Sequence, residues 1–153
     1  MVRSHSIYNN ELIGSIAILA VLEKLESLSV SKVFLILPLV FHKNTVDFLK
    51  KKNTVIRGME EFVIKKPEYF TNFNERYFSL LLVSLNSLIL LIELKLIRIE
   101  KEKVYLLDKD ILEDYKSYDL GKRAEDIIKS SEKIAILLQD KAENLYLQLR
   151  VEI

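Results

Sequence analysis

An imidazole and an ammonium group stand side by side at His42-Lys43, directly after the apolar run VFLILPLVF, residues 33–41. A histidine activates a nucleophile or takes a proton only when a second group is held within hydrogen-bond reach. The sequence offers no such group at a recognisable spacing. It has no Gly-x-Ser-x-Gly elbow, no cysteine and no His-x-x-x-His pair, and the other histidine is His5. An enzyme built on His42 is the weaker reading; the stronger one is a histidine that satisfies backbone groups where the apolar run breaks.

Three further features invite chemistry and are better explained without it. Lys50-Lys51-Lys52 could hold phosphates, but so short a run also suits a solvated helix C-terminus, where cations offset the macrodipole. The aromatics from Tyr69 to Phe78 could stack bases, yet among leucines at helical spacing they read as core. Gly121-Lys122 ends like a phosphate-binding loop, but that motif also needs a glycine where Lys116 stands and a hydroxyl where Arg123 stands. The expectation is a chain without catalytic residues, cofactor or metal ion.

Composition bounds the rest. A chain of 153 residues suits one domain with a core of its own. The absence of cysteine excludes disulfides and fits a cytoplasmic location. A net charge of +1 argues against a protein that lives on phosphate backbones. Half of the residues are hydrophobic, with three glycines and two prolines. So few turn-formers favour long helices, and so much apolar content points to burial against another chain. The longest uncharged apolar run, Leu80 to Ile92, holds Ser84, Asn86 and Ser87. It falls short of the roughly 20 residues of a spanning helix, so no membrane span is expected.

The elements expected to position these groups form a mainly α domain with a small β-hairpin. In an N-terminal part, residues 11–52, Asn9 or Asn10 caps a helix to about Leu28, with Ile16–Leu22 buried on all sides. Val33–Leu37 reads equally as strand or helix. Pro38 breaks the run, and Thr45 caps a helix ending at the three lysines. A second part, residues 55–108, holds a helix over 55–65, an aromatic helix from Tyr69, and another capped by Ser84 or Asn86. A hairpin follows, turning at Lys101-Glu102. Two helices and a hairpin make this part winged helix-turn-helix-like. The third part, 117–153, is a long helix over 120–143, capped by Ser117 or Asp119, and a tail whose alternation favours a strand.

A winged helix raises DNA-binding regulation as the alternative function. The helix in the reading position, SLNSLILLIELK, has no arginine for guanine, and Glu93 repels phosphate. Against an apolar protein partner the same helix makes sense.

The block Leu37-Pro38-Leu39-Val40-Phe41-His42-Lys43-Asn44-Thr45 resembles the Leu-Pro-Leu-aliphatic-x-His-Lys-x-Thr motif of the middle-component proteins of three-component ABC ATPase systems. That family often has proline at the position of Asn44. Pro67-Glu68 and Glu75-Arg76 match further pieces of its pattern. The tail Leu149-Arg150-Val151-Glu152-Ile153 departs from the family's Leu-Gly-Val-Arg-Pro-like ending, lacking its glycine and proline. The resemblance implies a non-enzymatic adaptor linking an ABC-type ATPase to a third, effector-like protein in bacterial conflict or phage defence. It implies a hetero-oligomer, with ATP turnover supplied by the partner. Pro38, His42, Lys43, Thr45, Leu149, Arg150 and Val151 are then the candidate partner-contact residues.

Overall fold

The computed structural model describes residues 2–115 and 119–153, with side chains from residue 10 onward except that of residue 115. The chain is mainly helical, with one small antiparallel sheet.

Helix α1 spans Val2–Glu23, starting earlier and ending sooner than expected. Asn9 and Asn10 therefore lie inside the helix rather than capping it. Ala17–Leu22 are all buried, as so uniformly apolar a stretch requires. The helix is surrounded by other elements described below, and Gly14 marks its closest approach to one of them. A Cβ there would stand 2.7 Å from the Ser87 hydroxyl and 3.0 Å from a Leu37 methyl. Leu28–Ser29, expected to be helical, form the short strand β1.

The apolar run holds no strand: it carries the end of α2 (Val30–Val33) and all of α3 (Ile36–Val40), and α4 (Lys43–Leu49) follows it. The first break falls at Phe34-Leu35, upstream of Pro38. The reason is the missing donor. Proline has no N–H to give the carbonyl four residues back, so a helix through Phe34 cannot continue. Within α3, Pro38 sits in the first turn, where no intrahelical donor is needed.

Helix α5 (Met59–Lys65) leads through a 3-10 turn (Pro67–Phe70) into α6 (Phe73–Glu93). Phe62 and Phe73 are fully buried and join Phe48, Tyr69 and Phe70 in one cluster of ring contacts at the core, whereas Phe78, also expected there, lies on the outer face of α6 and is 45% exposed. The cap expected at Ser84 or Asn86 does not exist, because α6 runs unbroken for 21 residues. What remains of the winged-helix expectation is a hairpin behind one long helix. Among the described residues, α6 alone is long and apolar enough to cross a membrane. Here it packs along α1 and α3.

The hairpin is as expected: β2 (Ile97–Glu100) and β3 (Lys103–Leu106) turn at Lys101-Glu102. Both turn residues have positive φ, 51° and 65°, the sign pattern of a type I′ turn, which matches strand twist. Strand β1 pairs with β3, Leu28 opposite Val104, giving the order β1-β3-β2.

Helix α7 (Ile111–Tyr115) had no sequence signal strong enough to announce it. The expected cap Ser117 lies outside the described residues. Asp119 accepts from the Gly121 amide at 3.0 Å, and Gly121, at φ 89°, is the residue that caps α8 (Lys122–Leu137). The long helix ends there. The tail is not a strand but helix α9 (Ala142–Gln148). Its alternating pattern is overruled because Leu147, which a strand would place on the same face as Leu145 and Leu149, is 77% exposed while those two are buried.

Candidate partner-binding surface

The motif residues meet at a corner between α3 and α4. His42 is the cap of α4: its Nδ1 accepts from the Thr45 amide at 3.3 Å and lies 2.8 Å from the Thr45 hydroxyl. Thr45, expected as the cap, is instead fully buried in the first turn. An Nδ1 that accepts leaves the ring proton on Nε2, so the cap requires a neutral imidazole. Burial, and then the Arg76 guanidinium, hold the His42 pKa below its ordinary value. The ring also packs on Tyr69, centroids 5.6 Å apart. This is a histidine satisfying backbone groups at the break, and the hydroxyl beside it belongs to the fully buried Thr45.

Arg76 fastens the corner from the far side. Its Nε donates to the Pro38 carbonyl at 3.2 Å and its Nη2 to the Tyr69 carbonyl at 2.9 Å, with the guanidinium over the Phe73 ring. Three separated pieces of the sequence pattern, around Pro38, Pro67-Glu68 and Glu75-Arg76, thus converge on one place. The helix break exposes carbonyls that need donors, and a half-buried arginine supplies two.

The tail docks beside the same end of α6. The Glu152 amide donates to Asn74 Oδ1 at 2.8 Å. Tyr146 donates to the Ser31 carbonyl at 2.5 Å, and its hydroxyl lies 3.0 Å from that of Tyr77. Burial and the Tyr77 hydroxyl push the Tyr146 pKa far above that of a free phenol. Helix α9 closes with bonds from the Arg150 amide to Leu147 O and from the Val151 amide to Tyr146 O, a Schellman motif. Arg150 stands at its left-handed position, φ 57°, which is where glycine is preferred. The glycine of the family's tail pattern falls at this residue. An open apolar groove of about 1110 Å³ runs past the tail, lined in part by Phe34, Tyr77, Ile99, Tyr146, Leu147 and Val151.

Of the seven candidate residues, Pro38, Thr45 and Leu149 are buried and shape the corner and tail from within. Lys43 and Arg150 are exposed, and His42 and Val151 are half-buried. Lys43 opens a chain of ion pairs that sequence reading missed. It bonds Asp47 at 2.7 Å; Lys50 reaches Asp47 at 3.3 Å and Asp126 at 3.2 Å; Lys122 reaches Asp126 at 3.1 Å. Lys50 is thus a bridge from α4 to α8, and its two carboxylate partners raise its pKa. Burial lifts the Asp126 pKa, but Lys122 and Lys50 outweigh it and hold it below the usual range. Spacing along α4 could have revealed Lys43–Asp47, but nothing in the sequence joins Lys50 to Asp126. Among the described residues there is no group of three or more metal-ligating side chains.

A family model described as ABC-three component (ABC-3C) system Middle Component 3 matches residues 15–153, from the middle of α1 through the corner, α6 and the tail. The chain belongs to this family. As a middle component it functions with other components of such a system. No curated protein and no solved structure matches the chain.

Proposed function

We propose that the chain is a non-enzymatic connector. It joins an ABC-type ATPase to a third, effector-like protein of the same system, in the cytoplasm, as part of a response to phage or another biological conflict. The observation that carries this reading is the match of residues 15–153 to a middle-component family. The corner adds support, since its one histidine is spent on a helix cap and leaves no base poised over a substrate. Lys43, His42, Arg150 and Val151 are the side chains of the motif and tail that remain available to a partner. Pro38, Thr45 and Leu149 hold them in place.

Co-purification with the ATPase encoded beside it tests the proposal. A stable complex is expected, weakened when Lys43 and Arg150 are both changed to glutamate. A chain that ignores that ATPase at micromolar concentrations overturns it. The alternative, a DNA-binding regulator, needs donors on the exposed face of α6, where Phe78, Leu82, Leu85, Ile89 and Ile92 stand. A gel shift with its own upstream DNA at low salt would favour that alternative; none is expected.

A further inference from the structure

Helix α6 is apolar on two faces, with Tyr77, Leu88 and Leu91 buried against the domain and a second stripe turned outward. Ser84 and Ser87 are fully buried against the domain, while Phe78, Leu82, Leu85, Ile89 and Ile92 are 43–66% exposed. These five fall at spacings of four, three, four and three, the repeat by which one helix packs along another. The stripe covers about 21 Å of helix length. We infer that this face pairs with the same face of a second copy of the chain, forming a two-fold homodimer independent of the connector role.

Charge and area argue for that occupant. No charged side chain interrupts the stripe between Phe78 and Ile92, and the residues beside it there include Ser79 and Asn86. The face can therefore meet itself without opposing like charges, the first requirement of an isologous contact. Five side chains this exposed present on the order of 400 Å² of apolar surface per copy. Doubled by symmetry it gives about 800 Å², two-thirds of the roughly 1,200 Å² at which specific interfaces begin, with polar neighbours at the rim to add to it. Leu12 enlarges it: its neighbour Glu11 accepts from Asn86 at 3.1 Å, and Leu12 itself is 54% exposed. A lipid surface is a poorer fit. Arg76 is turned inward to Pro38, and the exposed charges of α6 are Glu75 and Glu93, which anionic headgroups repel.

Sedimentation of the full chain between 1 and 100 µM (about the range of ordinary association) tests this. A dimer is expected, of twice the 17.9 kDa chain mass. Leu82→Glu with Ile89→Glu should raise the dissociation constant about 100-fold or more while the helical circular dichroism is unchanged. Leu82→Gln, a milder change, should raise it by a smaller factor. A wild-type chain that stays monomeric, or a dimer indifferent to these substitutions, overturns the inference. So does a monomer that uses this face to bind phosphatidylserine vesicles. A monomer that binds the neighbouring ATPase through the same face also overturns it, and leaves the connector reading standing.

Discussion

Two apolar stretches of this chain look alike as letters and behave as opposites in space. Residues 33–40 are almost wholly out of solvent, whereas residues 78–92 bury Ser84, Ser87, Leu88 and Leu91 on one face and display Phe78, Leu82, Leu85, Ile89 and Ile92 on the other. The difference lies in what each stretch must approach. The first is cut into short helices that turn every side chain toward the centre, and its loose carbonyl at Pro38 is met by Arg76. The second is one straight helix whose inner face must come close to Gly14 of α1. Beside Gly14 only a side chain as small as Ser87 fits, while Leu88 and Leu91 fill the inner face on either side and a second apolar stripe is left outside.

The strongest way to break this contrast is truncation. Leu37→Ala, in the filled stretch, should cost about 2–5 kcal/mol of unfolding free energy, since it leaves a cavity. Leu82→Ala should change it by no more than about 0.5 kcal/mol under monomeric conditions. Urea unfolding of the two variants compares them directly, and equal costs would show that α6 is covered within its own chain. Next in size is Arg76→Met, which keeps the stem but removes two bonds from a charged donor. A loss of about 2 kcal/mol is expected in the same assay.

The corner also has a pH signature. His42 is held neutral in the fold, with its pKa below the ordinary 6.5. The unfolded chain therefore binds a proton at a higher pH than the native one, and stability falls with acidification. The contribution is complete above 6.5 and is lost as pH drops from there through the depressed folded value. His42→Asn keeps a good cap and removes this dependence, so its stability relative to wild type should improve toward acid. Thermal unfolding at stepped pH measures it.

The smallest effect concerns how the helices stop. Lys95 and Arg150 both occupy left-handed positions after α6 and α9. The bonds Leu96 N–H to Leu91 O and Lys95 N–H to Ile92 O make the end of α6 a second Schellman motif. Lys95→Gly and Arg150→Gly should each stabilise the chain by about 0.5–1 kcal/mol, as relief of the strained φ outweighs the added flexibility.

These stops explain what was and was not legible in the sequence. Scarce glycine announced a mainly helical chain, but it also hid the left-handed helix ends made by Lys95 and Arg150. The hairpin was found because alternation and a charged pair mark it locally. Pro38 announced a break, and the donor it lacks places that break upstream at Phe34. Ser84 and Asn86 misled because residues that suit a helix cap also serve inside a helix, Ser84 buried on the inner face of α6 and Asn86 bonded to Glu11. The tail misled because Leu145 and Leu149 share a face in either period, and only the exposure of Leu147 decides between them. The convergence of Arg76 on Pro38 depends on tertiary position and has no local signal.

Strand β1 meets β3 across nearly half of the chain, with Leu28 opposite Val104 and the Val30 amide donating to the Glu102 carbonyl at 2.9 Å. Strands β2 and β3, by contrast, meet across two residues. Closing a long loop costs more entropy than closing a short one, so the pairing of β1 with β3 is the costlier of the two and leans on α1 being held against α6 and α8.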